Sequence, residues 1–416
     1  MSDPYLLLTF IPLYRDAAGR LYTDRLWQRD LVRHFDYIPH VRLACPVRRI
    51  EDAVGVDLAH VEVPEGTRFE IVELPWTPSV RSALMALPHT MRVLHRGIRD
   101  AGLVHSGIVG WPYPLGWIAN AMAMAQQKPL VLVVESTPWR IAGTGAERPV
   151  HVLRALTTEA LGRFFVNRAD LTFFTHEGYR RELSTNPRGR AFITPAAWID
   201  EKDVLTRDEA TRVWQAKRER TPRFVYPSRL LREKGTDVLL DALRTLEAQG
   251  TSVQVDVIGV GDRRSAFEEA AQRLRVVKLR FLEPVSYGEP FFRFLDGYHA
   301  VLVPQLGDEQ PRILFDAYAR ALPVLASDTP GVSAFVEDRV TGRLHARGDA
   351  TDLAALLEWA HGHGGELERM GIVARERALT FTHRAMHEAR ARVLREHYAT
   401  TVTPVETRKP EVAEVA

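Results

Sequence analysis

Between Val301 and Ser327 the chain reads VLVPQLGDEQPRILFDAYARALPVLAS, a pattern that admits little besides strand, loop, helix and strand. Val301 to Val303 is a short apolar run closed by Pro304. Pro311 suits the first helical position, where its missing N–H costs nothing. Apolar residues then follow at Ile313, Leu314, Ala317 and Ala321. Leu322-Pro323 stops the helix before a second apolar strand, Val324 to Ala326. Such a loop presents unpaired backbone N–H groups at the positive end of a helix, and these suit phosphate oxygens. Asp308 on the loop and Asp316 in the helix flank that end. Ionised carboxylates only accept hydrogen bonds, so beside a phosphate they suit the hydroxyls of an attached sugar.

The same plan recurs. Tyr5 to Ile11 precedes a polar loop, LYRDAAGRLYTD, with Gly19, and then a helical pattern through Leu26, Leu31, Val32 and Phe35. Val41 to Cys45 is a further strand, closed by Pro46. Leu103 to Val109 leads through GWPYPLGWIANAMAMAQQ to the strand PLVLVVES, which carries Glu135 near its end. RFVYPS is followed by a basic loop and a helix with Val238, Leu239, Ala242, Leu243 and Leu246 on one face. VQVDVIGVGD then brings Gly259 and Gly261 into another turn. Repeated strand, loop and helix predict α/β architecture, and 416 residues suffice for two or three domains. We expect a domain over 1–200 and a charged linker, poor in large apolar residues, over 201–221. A second domain should span 222–380, a basic helix 381–398, and a disordered tail 401–416.

A net charge of +2 argues against a dedicated nucleic-acid binder. Only six of the 55 basic residues are lysines, so Lys234 within a glycine-bearing loop stands out. The lone Cys45 excludes an internal disulfide and is compatible with a reducing cytosol. No signal peptide and no apolar run of about 18 residues is visible, which predicts a cytoplasmic location. SALMALPHTMRVLHRGIR, residues 82–99, is amphipathic with Arg92, Arg96 and Arg99. It reads either as an ordinary surface helix or as a peripheral contact for anionic lipid.

DEQPRILFDAYARALPVLAS aligns without a gap with EGFPRVILEALARGLPVIAS, and so resembles the signature of retaining glycosyltransferases of family 4, the glycosyl transferases group 1 domain. Asp308 and Asp316 stand where that family has two glutamates, each one methylene shorter, with Glu309 able to supply reach from the next position. SRLLREKG, with Arg229 and Lys234, resembles the family's GRLvpeKG. VIGVGD, with Gly261, resembles ivGdGp, and FLEPVS, with Pro284, resembles the FlGxvs segment whose backbone holds the base. His105 matches a family histidine that meets the donor sugar across the cleft.

The resemblance implies a GT-B type fold of two Rossmann-like doubly wound domains facing a deep cleft, with the last helix leaning back on the first. It also implies sugar transfer from a nucleoside-diphosphate sugar to a saccharide, lipid-linked or small-molecule acceptor, with retention of configuration. Arg229 and Lys234 would hold the diphosphate together with the helix amides near Gln310, Pro311 and Arg312. Asp308 would hold sugar hydroxyls and Asp316 the ribose, while Gly19 and Glu135 would face the acceptor. No metal and no cofactor is expected. Two other readings stay open: a nucleotide-sugar epimerase or hydrolase, and a catalytically silent scaffold for a partner transferase.

Overall fold

A computed structural model describes residues 3–110, 114–143 and 149–402. The first unit comprises β1 (Tyr5–Leu8), β2 (Leu13–Arg15), β3 (Leu21–Asp24), α1 (Arg25–Phe35), β4 (His40–Arg49), β5 (Leu58–His60), β6 (Arg68–Leu74) and α2 (Val80–Arg99). It continues through β7 (Leu103–Gly107), α3 (Leu115–Ala125), β8 (Leu130–Val134), α4 (Pro149–Val166), β9 (Leu171–Phe174), α5 (Glu177–Leu183) and β10 (Arg190–Ile193). Its sheet runs β10-β9-β8-β7-β1-β4, with β6 also on β4. Side chains alternate across it, as strand geometry requires. Tyr5 and Leu7 join a core with Leu31 and Phe35 of α1, while Leu6 joins Leu94 and Ile98 of α2 on the other face. Helices thus cover both faces of a parallel sheet.

Two sequence expectations change here. The polar loop after β1 is an antiparallel hairpin, β2 with β3, and β4 does not end at Pro46. Ala44 turns its carbonyl to the β1 side, accepting from Thr9 N–H at 3.0 Å, so Pro46, two residues on, faces that side past the end of β1. Its missing N–H costs no ladder bond there.

The second unit comprises α6 (Arg207–Gln215), β11 (Arg223–Pro227), α7 (Thr236–Gln249), β12 (Gln254–Ile258), α8 (Arg264–Arg273), β13 (Lys278–Leu282), α9 (Glu289–Leu295), β14 (Ala300–Val303) and α10 (Ile313–Ala319). After these come β15 (Val324–Ser327), α11 (Pro330–Ser333), β16 (Gly342–His345), α12 (Ala350–Gly362) and α13 (Gly364–Ala378). All its strand pairs are parallel, in the order β13-β12-β11-β14-β15-β16. The linker expected over 201–221 is corrected. Thr206 and Glu209 form a capping box that starts α6, and Ala210 and Trp214 are buried in the second core. Trp214 Nε1 donates to the Ala321 carbonyl at 2.9 Å, so this charged segment docks through one aromatic anchor that its composition understates.

The last helix, α14 (His383–His397), returns to the first unit, where Ala391 and Leu394 pack with Leu31 and Tyr37. Of the tail, Thr401 and Val402 are buried, and 403–416 lies outside the described residues.

Candidate active site

β11 and β14 are neighbours at the middle of the second sheet, and the chain leaves them in opposite directions along it. A parallel sheet opens a crevice at such a reversal, outside the carboxyl ends of its strands. Two loops leave there: 228–235 after β11 and 304–312 after β14. They are fastened together. Leu306 N–H donates to the Glu233 carbonyl at 2.8 Å, and Gly235, at φ +77°, lies so close that a Cβ would come within 1.7 Å of the Pro304 oxygen.

These loops form one wall of a cavity of about 640 Å³. Arg229, Arg232, Lys234 and residues 309–313 line it. Across the gap stand Glu135 and Ser136 after β8, Thr175 after β9, and Ala196. The volume falls within the range of small-molecule sites, between two units as such sites commonly are. Lys234 Nζ meets Glu309 Oε1 at 2.6 Å, both side chains largely covered at 14% and 16% exposure. Arg312 lies over the Trp198 ring at 4.1 Å. Among the described residues neither Arg229 nor Arg232 forms an ion pair, and both are exposed, so two guanidinium groups line the cavity without a bonded acid.

Arg229, Lys234, Glu309, Gln310, Pro311, Arg312 and Glu135 therefore share one cavity. The side chain of Gln310 is otherwise engaged. Its Oε1 accepts from Ala196 N–H at 2.8 Å and its Nε2 donates to the Ala196 carbonyl at 3.0 Å, a two-point bridge between the units. The expected donor contact at Gln310 is through its backbone amide, and the side chain takes a positioning role beside it.

Other expectations also change. Asp308 pairs with Arg347 at 2.9 Å and is not on the cavity wall. Asp316 is buried, accepts from the Tyr287 hydroxyl at 2.8 Å and likewise stands off the wall. Burial pushes its carboxyl up to about 7, against the opposing effects of the Tyr287 hydrogen bond and Arg312. Its partner Tyr287 lies in the loop just before α9.

His105 sits mid-strand in β7, buried, with Nδ1 2.6 Å from the Tyr5 hydroxyl; it is a core histidine. Burial, reinforced by the nearby His34 and Arg390, holds its ring well below the usual imidazole range. Gly19 lies at φ +80° between β2 and β3, so the hairpin carries it away from the loop that directly follows β1. Gly261 stands behind the 228–230 loop, where a Cβ would lie 2.4 Å from the Leu230 oxygen. Close backbone approach accounts for that glycine. Pro284 is exposed after the edge strand β13, two strands from β11 and outside the cavity lining.

Sequence reasoning missed Arg232, although it is three residues from Arg229 in the same loop and its charge was visible. It also missed Ser136, Ala196, Arg347 and Tyr287, for which no local pattern existed.

Residues 208–377 match the family model described as Glycosyl transferases group 1. The amylovoran biosynthesis glycosyltransferase AmsK of Erwinia amylovora is 34% identical over 144 residues, 32% of this chain and 35% of that protein. The putative colanic acid biosynthesis glycosyltransferase WcaL of Salmonella typhimurium is 29% identical over 178 residues, 40% and 43% of the respective chains. The matched region thus spans less than half the length of these relatives. Across 95% of the chain the fold resembles HepE of Anabaena solved with UDP-glucose, at TM-score 0.64, 15% identity and 100% of that chain. It also resembles sucrose-phosphate synthase of Thermosynechococcus elongatus, at 0.68, 17% and 99% of that chain. Residues 208–377 are therefore similar to the Glycosyl transferases group 1 family, and the chain has a two-domain GT-B fold.

Proposed function

We propose that this protein transfers a glycosyl group from a nucleoside-diphosphate sugar to an acceptor hydroxyl, in the synthesis of a polysaccharide or glycoconjugate. The carrying observation is the convergence of Arg229, Lys234 and the 309–313 loop on one cavity at the reversal of the second sheet. Breaking the anomeric bond leaves positive charge on the sugar and additional negative charge on the departing diphosphate. A guanidinium forks two phosphate oxygens and an ammonium supplies a compact charge, both in place before the bond breaks.

Glu309, and not Asp308, is the carboxylate beside that pair. The diphosphate competes with Glu309 for Lys234, and the released carboxylate accepts from a sugar hydroxyl. Departure on the phosphate side and same-face attack by the acceptor give retention, with the leaving phosphate oxygen taking the acceptor proton. Glu135 on the opposite wall faces the acceptor. The relatives' roles in amylovoran and colanic acid synthesis, and the UDP-glucose held by HepE, support both the substrate class and the setting.

No helix among the described residues is long and apolar enough to cross a membrane. The helix α2 nevertheless exposes Val80, Leu84, Met85 and Met91 on a segment that also carries Arg81, Arg92, Arg96 and Arg99. This combination supports peripheral contact with anionic lipid, where a lipid-linked acceptor would reside. Failure to co-sediment with anionic vesicles even at low salt would remove that part. The transfer itself is tested by incubating the chain with a panel of nucleotide sugars, with and without acceptors. Thermal stabilisation by a donor and acceptor-dependent product are expected. Donor consumption that is independent of acceptor, or no donor binding at all, contradicts the reading.

A further inference from the structure

A cluster of three buried imidazoles and one partly buried carboxylate lies outside the cavity lining, where α14 meets α1. Asp30 and His34 are four residues apart on α1, and His383 and His387 are four apart on α14, so each pair shares a helix face. Asp30 Oδ1 lies 3.3 Å from His383 Nε2 and 3.1 Å from His387 Nε2, and the two Nε2 atoms lie 3.2 Å apart. The three atoms form a nearly equilateral triangle. Ligands held about 2.0–2.1 Å from one tetrahedral ion are separated by roughly 3.3 Å, which is the edge of such a triangle.

His34 supplies an independent observation. Its Nδ1 lies 2.8 Å from the Asp30 carbonyl, an acceptor only, which makes Nδ1 the protonated nitrogen and leaves Nε2 with a lone pair. That Nε2 is buried and has no hydrogen-bond partner. Ligand atoms of Asp30, His34 and His387 lie within 4.8 Å of one another. The Tyr37 hydroxyl, 3.1 Å from His387 Nδ1, holds that ring from behind, as outer partners of metal-bound histidines do. The nearby cation Arg390 is engaged with Thr194 Oγ1 at 3.5 Å and faces Glu135 at 3.8 Å.

We propose that Asp30, His383 and His387 bind one divalent transition cation, with His34 close enough to Asp30 and His387 to join them and Zn2+ favoured by the imidazole and carboxylate set, and that this ion clamps α14 onto α1. Its place is structural. It joins the first unit to the helix that returns after the second, through residues 353 positions apart, and has no part in the transfer step.

The test uses the purified full chain, stripped with chelator, supplied with Zn2+ and desalted. Metal content by mass spectrometry should approach one equivalent, Zn2+ should raise the Tm, and Co2+ in its place should give the intense visible bands of tetrahedral nitrogen and oxygen ligation. His383→Ala/His387→Ala should retain none, and His34→Gln should bind more weakly while keeping wild-type circular dichroism. Wild-type protein that retains no Zn2+, or no more than the double variant, overturns the proposal. So does an octahedral Co2+ spectrum, whether or not the double variant folds.

Discussion

The two ends of the second sheet handle charge in opposite ways. At the carboxyl end of β11, Arg229 and Arg232 face a cavity without an acid partner among the described residues, and Lys234 is held by one carboxylate. Toward the other end, Asp256 of β12 takes Arg223 at 2.7 Å, Arg280 at 2.6 Å and the Tyr298 hydroxyl at 2.6 Å. Together these partners hold its carboxyl below the usual range despite burial. Satisfied charge on a buried strand ties the sheet together. Exposed guanidinium groups at a strand end, lining a cavity, are free to take an anionic partner.

The contrast breaks most sharply at Lys234. Lys234→Ala or Arg229→Ala should lower turnover by about 30- to 1,000-fold, or roughly 2–4 kcal/mol of barrier, with the Tm nearly unchanged in Arg229→Ala, which breaks no ion pair among the described residues. Steady-state kinetics alongside thermal melts read both, and wild-type turnover in either variant removes the diphosphate role. Asp256→Ala should show the reverse pattern. The two arginines are partly exposed, at 33% and 55%, and can rehydrate, so we expect a loss of about 1–3 kcal/mol in chemical denaturation with donor KM unchanged.

A comparable effect is expected at Asp316. Its folded-state carboxyl is raised to about 7, so the protonated form favours folding. Stability from this group is complete below the ordinary carboxylate range and is lost as pH rises through about 7. Asp316→Asn keeps an acceptor for Tyr287 without the charge. Its advantage over wild type should therefore grow from pH 5 to pH 8 by on the order of 1–3 kcal/mol, measured as a pH series of melts. A constant difference would mean that the carboxyl stays ionised, as a residue facing the cavity would.

The smallest effect belongs to the bridge between the units. Gln310→Ala leaves the Ala196 backbone groups unpaired and should cost about 1–2 kcal/mol of stability, with donor KM rising more than kcat falls. An unchanged KM would show that the bridge does not set the distance between the cavity walls.

The elements were legible where their causes are local. Pro311 ahead of an apolar helical face, and Gly235 after Lys234, put both cavity loops where the strands end. Most of what failed depends on distance along the chain. Asp308 finds Arg347 39 residues away, Gln310 finds Ala196 114 residues away, and Asp30 finds His383 353 residues away. Packing of whole elements makes these pairs, and no spacing announces them. His105 failed for another reason. Its matching position lies on β7, but buried in the strand interior with Tyr5 on the next strand it has no path to the cleft.

Titration calorimetry with nucleoside diphosphates tests the central claim most directly, because it reads the grip on the diphosphate without any acceptor. The wild-type chain should bind a nucleoside diphosphate measurably. Lys234→Ala should weaken the Kd by roughly tenfold or more, equivalent to one lost charge-assisted contact of about 1.5–3 kcal/mol. Lys234→Ala/Glu309→Gln should recover part of that loss by removing the carboxylate left facing the phosphates. Equal affinity in all three proteins would contradict the account.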